Sequence, residues 1–126
     1  MLVYGLKNGS IGAIELTKDE GIVLWEYDVM DSKSAVAHIK CENFVDSNII
    51  LARDSGEIEI YTYTESTEAE LVYETKEAHE AITGLAIGNI TSPGKKEIIY
   101  SCYSGIIKSI CHRSNAKTIG LATEFA

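Results

Sequence analysis

The sequence predicts an all-β chain: an incomplete β-propeller arc of two to three four-stranded antiparallel blades. Three observations predict it. A hairpin signature recurs three times, as LVYGLKNGSIGAI from Leu2, IILARDSGEIEIY from Ile49 and IIYSCYSGIIKSI from Ile98. The turn glycines Gly9, Gly56 and Gly105 stand 47 and 49 residues apart, the period of one propeller blade. Strand-like segments fill the intervals, four to a period, which is the strand count of a blade.

The three copies share their parts in order. Seven residues before each glycine stands Leu2, Ile49 or Ile98, and four before it a small residue, Gly5, Ala52 or Ser101. Two residues after it stands Ile11, Ile58 or Ile107, and five after it Ile14, Tyr61 or Ile110. A tight antiparallel turn needs a positive φ, which glycine takes without steric cost. The polar turn formers Asn8, Ser55 and Ser104 precede the three glycines. The recurring small residue implies close packing on a crowded inner strand. GIVLWEYDV (Gly21 to Val29) and AELVYETK (Ala69 to Lys76) follow the first two hairpins as outer strands. They place Trp25 and Tyr73 at nearly equal distances from their turns, as blade packing residues or as anchors for a partner. SAVAHIKC (Ser34 to Cys41) and AITGLAIG (Ala81 to Gly88) precede the second and third hairpins as first strands. The stretch from Glu65 to Ala81, rich in Glu, Ala and Lys, competes as a helix.

Residues 1–30 then form part of a first blade, 31–77 a complete blade, and 78–126 a third. The third blade is expected to lack its own outer strand unless the tail from Lys117 to Phe125 replaces it. Closed propellers have about four to eight blades. The chain is therefore expected to be a fragment of a larger ring, such as a seven-bladed propeller, within a longer protein. Open blade faces and strand edges favour self-association of such a piece.

Composition narrows the function classes. The 126 residues carry 11 Lys and Arg against 19 Asp and Glu, a net charge of −8. That sign repels a phosphate backbone and an anionic leaflet, so neither nucleic acid nor direct membrane insertion is expected. No stretch is long and apolar enough to span a bilayer, and no signal-peptide pattern opens the chain. Cys41, Cys102 and Cys111 are odd in number and lack C-x-x-C spacing, which argues against a disulfide framework or a zinc knuckle and for a reducing compartment. Asn8-Gly9-Ser10 and Asn89-Ile90-Thr91 read as turn chemistry rather than glycosylation sites.

No motif asks for catalysis. His79-Glu80 begins an H-E-x-x-H pattern, but Thr83 stands where the second histidine belongs. Cys111 and His112 are neighbours and point to opposite faces of a strand. His38 reads as a structural histidine. Glu57 and Glu59 alternate with Ile58 and Ile60, which places both carboxylates, with Glu15 and Glu74, on solvent faces. Arg53-Asp54 reads as the rim of a turn. No catalytic, metal or cofactor-binding residue is expected, and no cofactor. A protein-contact scaffold is the reading of the residues. The alternative is a fragment of an enzymatic or ligand-binding propeller whose site lies elsewhere in the ring.

Taken in order, LVYGLKNGSIGAIEL, LWEY, IILARDSGEIEIY and IIYSCYSG resemble the end of the propeller of the Bardet–Biedl syndrome 7 protein family. Ile49 to Gly56 stands where that family shows Leu-Leu-Val-Gly-Arg-Asp-Asp-Gly. Cys102 to Gly105 stands where it shows Thr-Tyr-Ser-Gly, and Trp25-Glu26 matches its Trp-Glu pair. The resemblance runs from about Leu2 to Cys111; from His112 onward no match is placed. It implies a propeller segment of a BBSome subunit, acting in ciliary membrane-protein trafficking and ciliogenesis. The implied partners are other BBSome subunits and, indirectly, ciliary membrane-protein cargo. The implied location is the cytoplasm and the cilium, basal body or ciliary base.

Overall fold

A computed structural model describes residues 1–27, 34–43, 47–64, 67–76, 78–90, 96–111 and 117–121. The described residues form strands and turns. In chain order the strands are β1 (Leu2–Gly5), β2 (Ile11–Leu16), β3 (Gly21–Tyr27), β4 (Val36–Asn43), β5 (Ser47–Arg53), β6 (Ile58–Thr64), β7 (Thr67–Thr75), β8 (Ile82–Gly88), β9 (Glu97–Cys102), β10 (Ile106–Cys111) and β11 (Lys117–Leu121).

The three glycine turns close alike. Gly9 N donates to Leu6 O at 3.0 Å, Gly56 N to Arg53 O at 3.0 Å and Gly105 N to Cys102 O at 2.9 Å. Their φ angles are 95°, 96° and 92°. This is the hairpin form in which a turn is followed by a left-handed glycine, a position that penalises any Cβ. Asn8 Oδ1 accepts from Ser10 N at 2.9 Å, the local side-chain turn that the first sequon provides.

Each hairpin belongs to one antiparallel sheet and is the central pair of the second and third. The strand orders are β1-β2-β3, β4-β5-β6-β7 and β8-β9-β10-β11. The helical alternative over Glu65 to Ala81 gives way to β7, which pairs with β6 and bulges twice along that pairing. Two further features depart from or refine the expectation. The third sheet has an outer strand: the tail supplies β11, with Ile106 opposite Leu121 and Ser109 opposite Lys117. A bare β10 edge would expose a row of unpaired backbone groups, and the tail segment satisfies them. The first sheet, by contrast, has no strand on the inner side of β1 among the described residues.

The sheets stack face to face: β1 lies on β4, β3 on β7 and β4 on β8. Two cores result. Ile11, Ala13, Trp25, Ile49, Leu51, Tyr61 and Ala69 fill the seam between the first and second sheets. Ile50, Ala52, Ile58, Ile60, Ile82, Leu85, Ile98, Tyr100, Cys102 and Ile110 are among those filling the seam between the second and third. Alternate residues of β5 thus serve different cores, and Ile49, Ile50, Leu51, Ala52 and Arg53 are all fully buried. The middle sheet is covered on both faces, which is why its β5 reads as a continuous apolar run.

The small residue of the first hairpin explains itself here. A Cβ on Gly5 would sit 2.5 Å from Val36 Cγ1 and 3.0 Å from Ile39 Cδ1. The inner strand of one blade is that close to the first strand of the next.

Candidate functional site

The seam between the first and second sheets carries a buried charged cluster. Arg53 ends β5, three residues before Gly56; Glu59 lies on β6, three after it. Both point into the first seam, on the same face as Leu51 and Tyr61. Both side chains have no solvent exposure, and Arg53 Nη2 lies 3.0 Å from Glu59 Oε1. Arg53 Nε donates to Glu59 Oε2 at 3.1 Å, so the pairing is bidentate. Tyr61 Oη donates to Glu59 Oε1 at 2.7 Å. The remaining guanidinium nitrogen reaches across the seam: Arg53 Nη1 donates to Gly9 O at 2.8 Å and to Ser34 O at 2.9 Å. One cation therefore ties the first hairpin tip, the approach to β4 and the second hairpin together.

Burial opposes the charge on Arg53, but the hydrogen bond and charge of Glu59 outweigh it and hold the guanidinium protonated. Burial, then the hydrogen bond to Glu59 and that carboxylate's charge, push the Tyr61 phenol well up. Arg53, Glu59 and Tyr61 are all buried, so the cluster is closed to water. Such a group positions structure; it has no route to a substrate.

This corrects two expectations. Arg53 is not the rim of a turn, and Glu59 is not on a solvent face. The alternation at Glu57–Ile60 stands, but β6 is an inner strand with both faces covered, so both phases of the alternation point into protein. Glu57 is partly covered, and Glu15 and Glu74 are exposed. The third sheet carries a second buried polar pair, in which Glu97 accepts from Ser109 Oγ and, at 3.2 Å, from Ile90 N. The signal that finds Arg53 and Glu59 in sequence is their symmetric placement about a turn glycine inside a run otherwise buried.

The second and third hairpin tips are also held by the approach to their own first strands. Asp54 N donates to Ala35 O at 3.0 Å, and Tyr103 N to Ala81 O at 2.9 Å. Ser55 N donates to Ser34 Oγ at 3.0 Å, and Ser104 N to Glu80 Oε1 at 2.8 Å. The Ser104 hydrogen bonds lower the carboxyl pKa of Glu80, outweighing its slight desolvation. A depressed carboxylate pKa contributes stability above the unfolded value that is lost as pH falls through the folded one. Carboxyl-detected NMR is expected to place the Glu80 midpoint below that of the exposed glutamates; a midpoint equal to theirs would show the Ser104 latch is not formed in solution.

The residues singled out in the sequence land as follows. Gly9, Gly56 and Gly105 occupy the three turns. Trp25 is 5% exposed in the first seam, and its Nε1 has no acceptor among the described residues. Tyr73 packs half-buried against the second core. Desolvation pushes both the Cys41 and Cys102 thiols up, so neither is an activated thiolate. Cys111 and His112 have no described side chains. Among the described residues no cluster of three or more His, Cys, Asp or Glu is placed to hold a metal ion, and no helix is long and apolar enough to cross a membrane.

Two outward faces complete the arc. On the first sheet, Leu2, Ile14 and Val23 stand directly opposite one another across three strands. Leu2, Leu16 and Val23 are 49%, 66% and 60% exposed. On the third sheet, a shallow apolar recess of about 230 Å³ is lined by Gly84, Leu85, Ala86, Ile99, Tyr100, Ser101 and Ile107. These faces match the seams in composition and lack a partner sheet among the described residues.

The fold agrees with comparison to known proteins. The family model described as BBS7 beta-propeller matches residues 1–112. The chain is similar to the BBSome complex member bbs-7 of Caenorhabditis elegans, at 32% identity over 117 residues, 90% of this chain and 16% of that protein. It is similar to the BBSome complex member BBS7 of Mus musculus, at 22% identity over 126 residues, 98% of this chain and 18% of that protein. The chain thus spans less than a fifth of the length of these relatives. A blade repeat of this order and spacing, covered by the family match nearly from end to end, makes this chain a member of the BBS7 β-propeller family.

Proposed function

We propose that this chain is a non-catalytic scaffold segment of a BBSome subunit, serving ciliary membrane-protein trafficking and ciliogenesis. The observation that carries the reading is the family match over residues 1–112, together with relatives named as BBSome complex members. The physical chemistry supports it. The buried Arg53–Glu59–Tyr61 cluster is spent on joining two blades, the Glu97–Ser109 pair on tying strands within the third sheet, and the net charge is acidic.

In this reading the segment contributes blades to a propeller whose outer surface meets other BBSome subunits. Cargo is reached through the assembled complex, in the cytoplasm and at the ciliary base. The test is affinity capture of the full-length protein from ciliated cells. Other BBSome subunits are expected in the eluate in near-stoichiometric amounts; their absence, with the protein folded and expressed, would overturn the proposal. As an isolated piece the segment is expected to self-associate through its open faces, because apolar surface of this kind is covered in a closed ring. Light scattering across a dilution series checks this: the expected mass rises with concentration, and a monodisperse monomer throughout would contradict it.

A further inference from the structure

The turn joining β2 to β3 holds a threonine hydroxyl among carboxylates at the surface. A Ser or Thr with a carboxylate three residues on occurs at three places: Thr17 with Glu20, Thr62 with Glu65 and Thr67 with Glu70. On sequence the three are equivalent, and the structure separates them. Thr62 and Thr67 lie inside β6 and β7, where Thr62 stands opposite Glu70 and Thr67 opposite Thr64 in the ladder. Thr17 follows the end of β2, and Glu20 precedes β3. Every residue from Glu15 to Val23 is exposed, the longest such run among the described residues. Thr17 to Glu20 lie beyond Leu16 and Gly21, the last pair of the ladder, so the turn projects past both faces of the sheet.

Thr17 closes this turn with its side chain as well as its backbone. Thr17 N donates to Glu20 O at 2.8 Å. The return bond goes to the hydroxyl, with Glu20 N donating to Thr17 Oγ1 at 3.1 Å. Thr17 Oγ1 in turn donates to Glu20 O at 2.8 Å. These bonds are at the surface, where a hairpin tip opens at low free energy.

The charges around the hydroxyl have one sign. Glu15 stands two residues before it, Asp19 and Glu20 two and three residues after it, and Lys18 is the single cation of the exposed run. An enzyme that reads this pattern has a basic substrate groove, and kinases discriminate substrates by charge patterns of this kind.

We propose that Thr17 is a phosphoacceptor for an acidophilic serine/threonine kinase, and that its phosphorylation opens the β2–β3 turn. The Thr17 hydroxyl oxygen attacks the γ-phosphorus of ATP. The new Oγ–P bond forms as the γ-phosphorus parts from its bridging oxygen, ADP leaves, and the hydroxyl proton passes to the kinase's catalytic carboxylate. The product has no hydrogen to give Glu20 O. Its phosphate carries a charge of about −1.5 to −2 beside Asp19 and Glu20, which repel it. The turn loses a closing bond and gains repulsion in one step, while both cores lie elsewhere.

The test treats the folded chain with casein kinase II and Mg-ATP and localises the phosphate by mass spectrometry. Thr17 is expected to be labelled about tenfold faster or more than Thr62 and Thr67, whose backbones are held in the ladder. Protein kinase A, which selects for arginine, is expected to leave Thr17 unlabelled. Thr17→Val removes the acceptor and is expected to abolish the label. Asp19→Asn with Glu20→Gln keeps the hydroxyl and removes the charges, and is expected to slow labelling by about tenfold or more. No label at Thr17, equal or faster labelling at Thr62 or Thr67, or an unchanged rate in the charge-removed variant would overturn the proposal. Amide exchange on the labelled chain reads the opening: the Thr17 amide is expected to exchange about threefold faster or more, with Ile49–Ala52 unchanged. Equal exchange at Thr17 before and after labelling would overturn the opening of the turn. These readouts use the chain alone, so their outcome is separate from BBSome membership.

Discussion

Glu59→Leu is expected to destabilise the chain by about 3–5 kcal/mol, because it strips the counter-charge from a buried cation. Arg53 has no exposure and cannot recover its lost partner from water. Its other contacts, Gly9 O and Ser34 O, satisfy one nitrogen only. Tyr61 Oη loses its acceptor in the same step. The double variant Arg53→Met with Glu59→Leu is expected to regain a large share, since apolar side chains of similar volume replace a pair whose desolvation is costly. It stays below the parent because the two carbonyls across the seam lose their donor, at about 1–3 kcal/mol for a buried group left unsatisfied. Lys76→Ala is the contrast: its 3.7 Å contact with Glu57 is at the surface and is worth at most about 1 kcal/mol. Urea unfolding of the three variants reads the comparison. A Glu59→Leu cost as small as that of Lys76→Ala would mean the pair is solvated and the seam open.

The second large effect separates two glycines that the sequence makes equivalent. Gly56→Ala is expected to cost about 3 kcal/mol or more, combining left-handed strain of about 1–2 kcal/mol with a backbone collision. Its new Cβ would lie 2.0 Å from Ala78 O and 2.7 Å from Glu80 O, on the approach to the next blade. Neither oxygen is the end of a flexible side chain, so relief requires moving that approach and with it the cap on the third hairpin. Gly105→Ala meets nothing within 4 Å. Only the φ term remains, about 1–2 kcal/mol. Thermal or urea unfolding of the two variants checks the difference; equal costs would place the second hairpin tip away from the third blade.

Much of this architecture was legible because it repeats. The glycine period gave the three hairpins, and the segments Ser34–Cys41 and Ala81–Gly88 gave the first strands of two blades. The small residue at Gly5 announced the close approach to Val36. The order of several weak motifs carried the family resemblance, which the family match bears out over residues 1–112. What the sequence hid is tertiary. Alternation at Glu57–Ile60 has the same form whether one face of a strand is wet or both are dry, so the burial of Glu59 depends on a neighbouring sheet that local pattern does not contain. The same reason applies to Arg53: beside a turn, charge signals a rim unless a second blade closes over it. The tail strand β11 is not legible in sequence because Lys117–Leu121 lacks the hairpin signature and is identified only by the β10 edge it satisfies.

The central claim is that the chain is an arc in which the middle sheet is sealed on both faces by its neighbours. Residue-resolved amide exchange tests it most directly. Exchange is expected to be slowest at Ile49–Ala52 and Ile58–Tyr61, where ladder partners stand on both sides and both faces are buried. It is expected to be faster along the inner edge of β1 and the outer strands β3 and β7. Protection spread evenly over the strands, or greatest in β1 and β3, would contradict the arc.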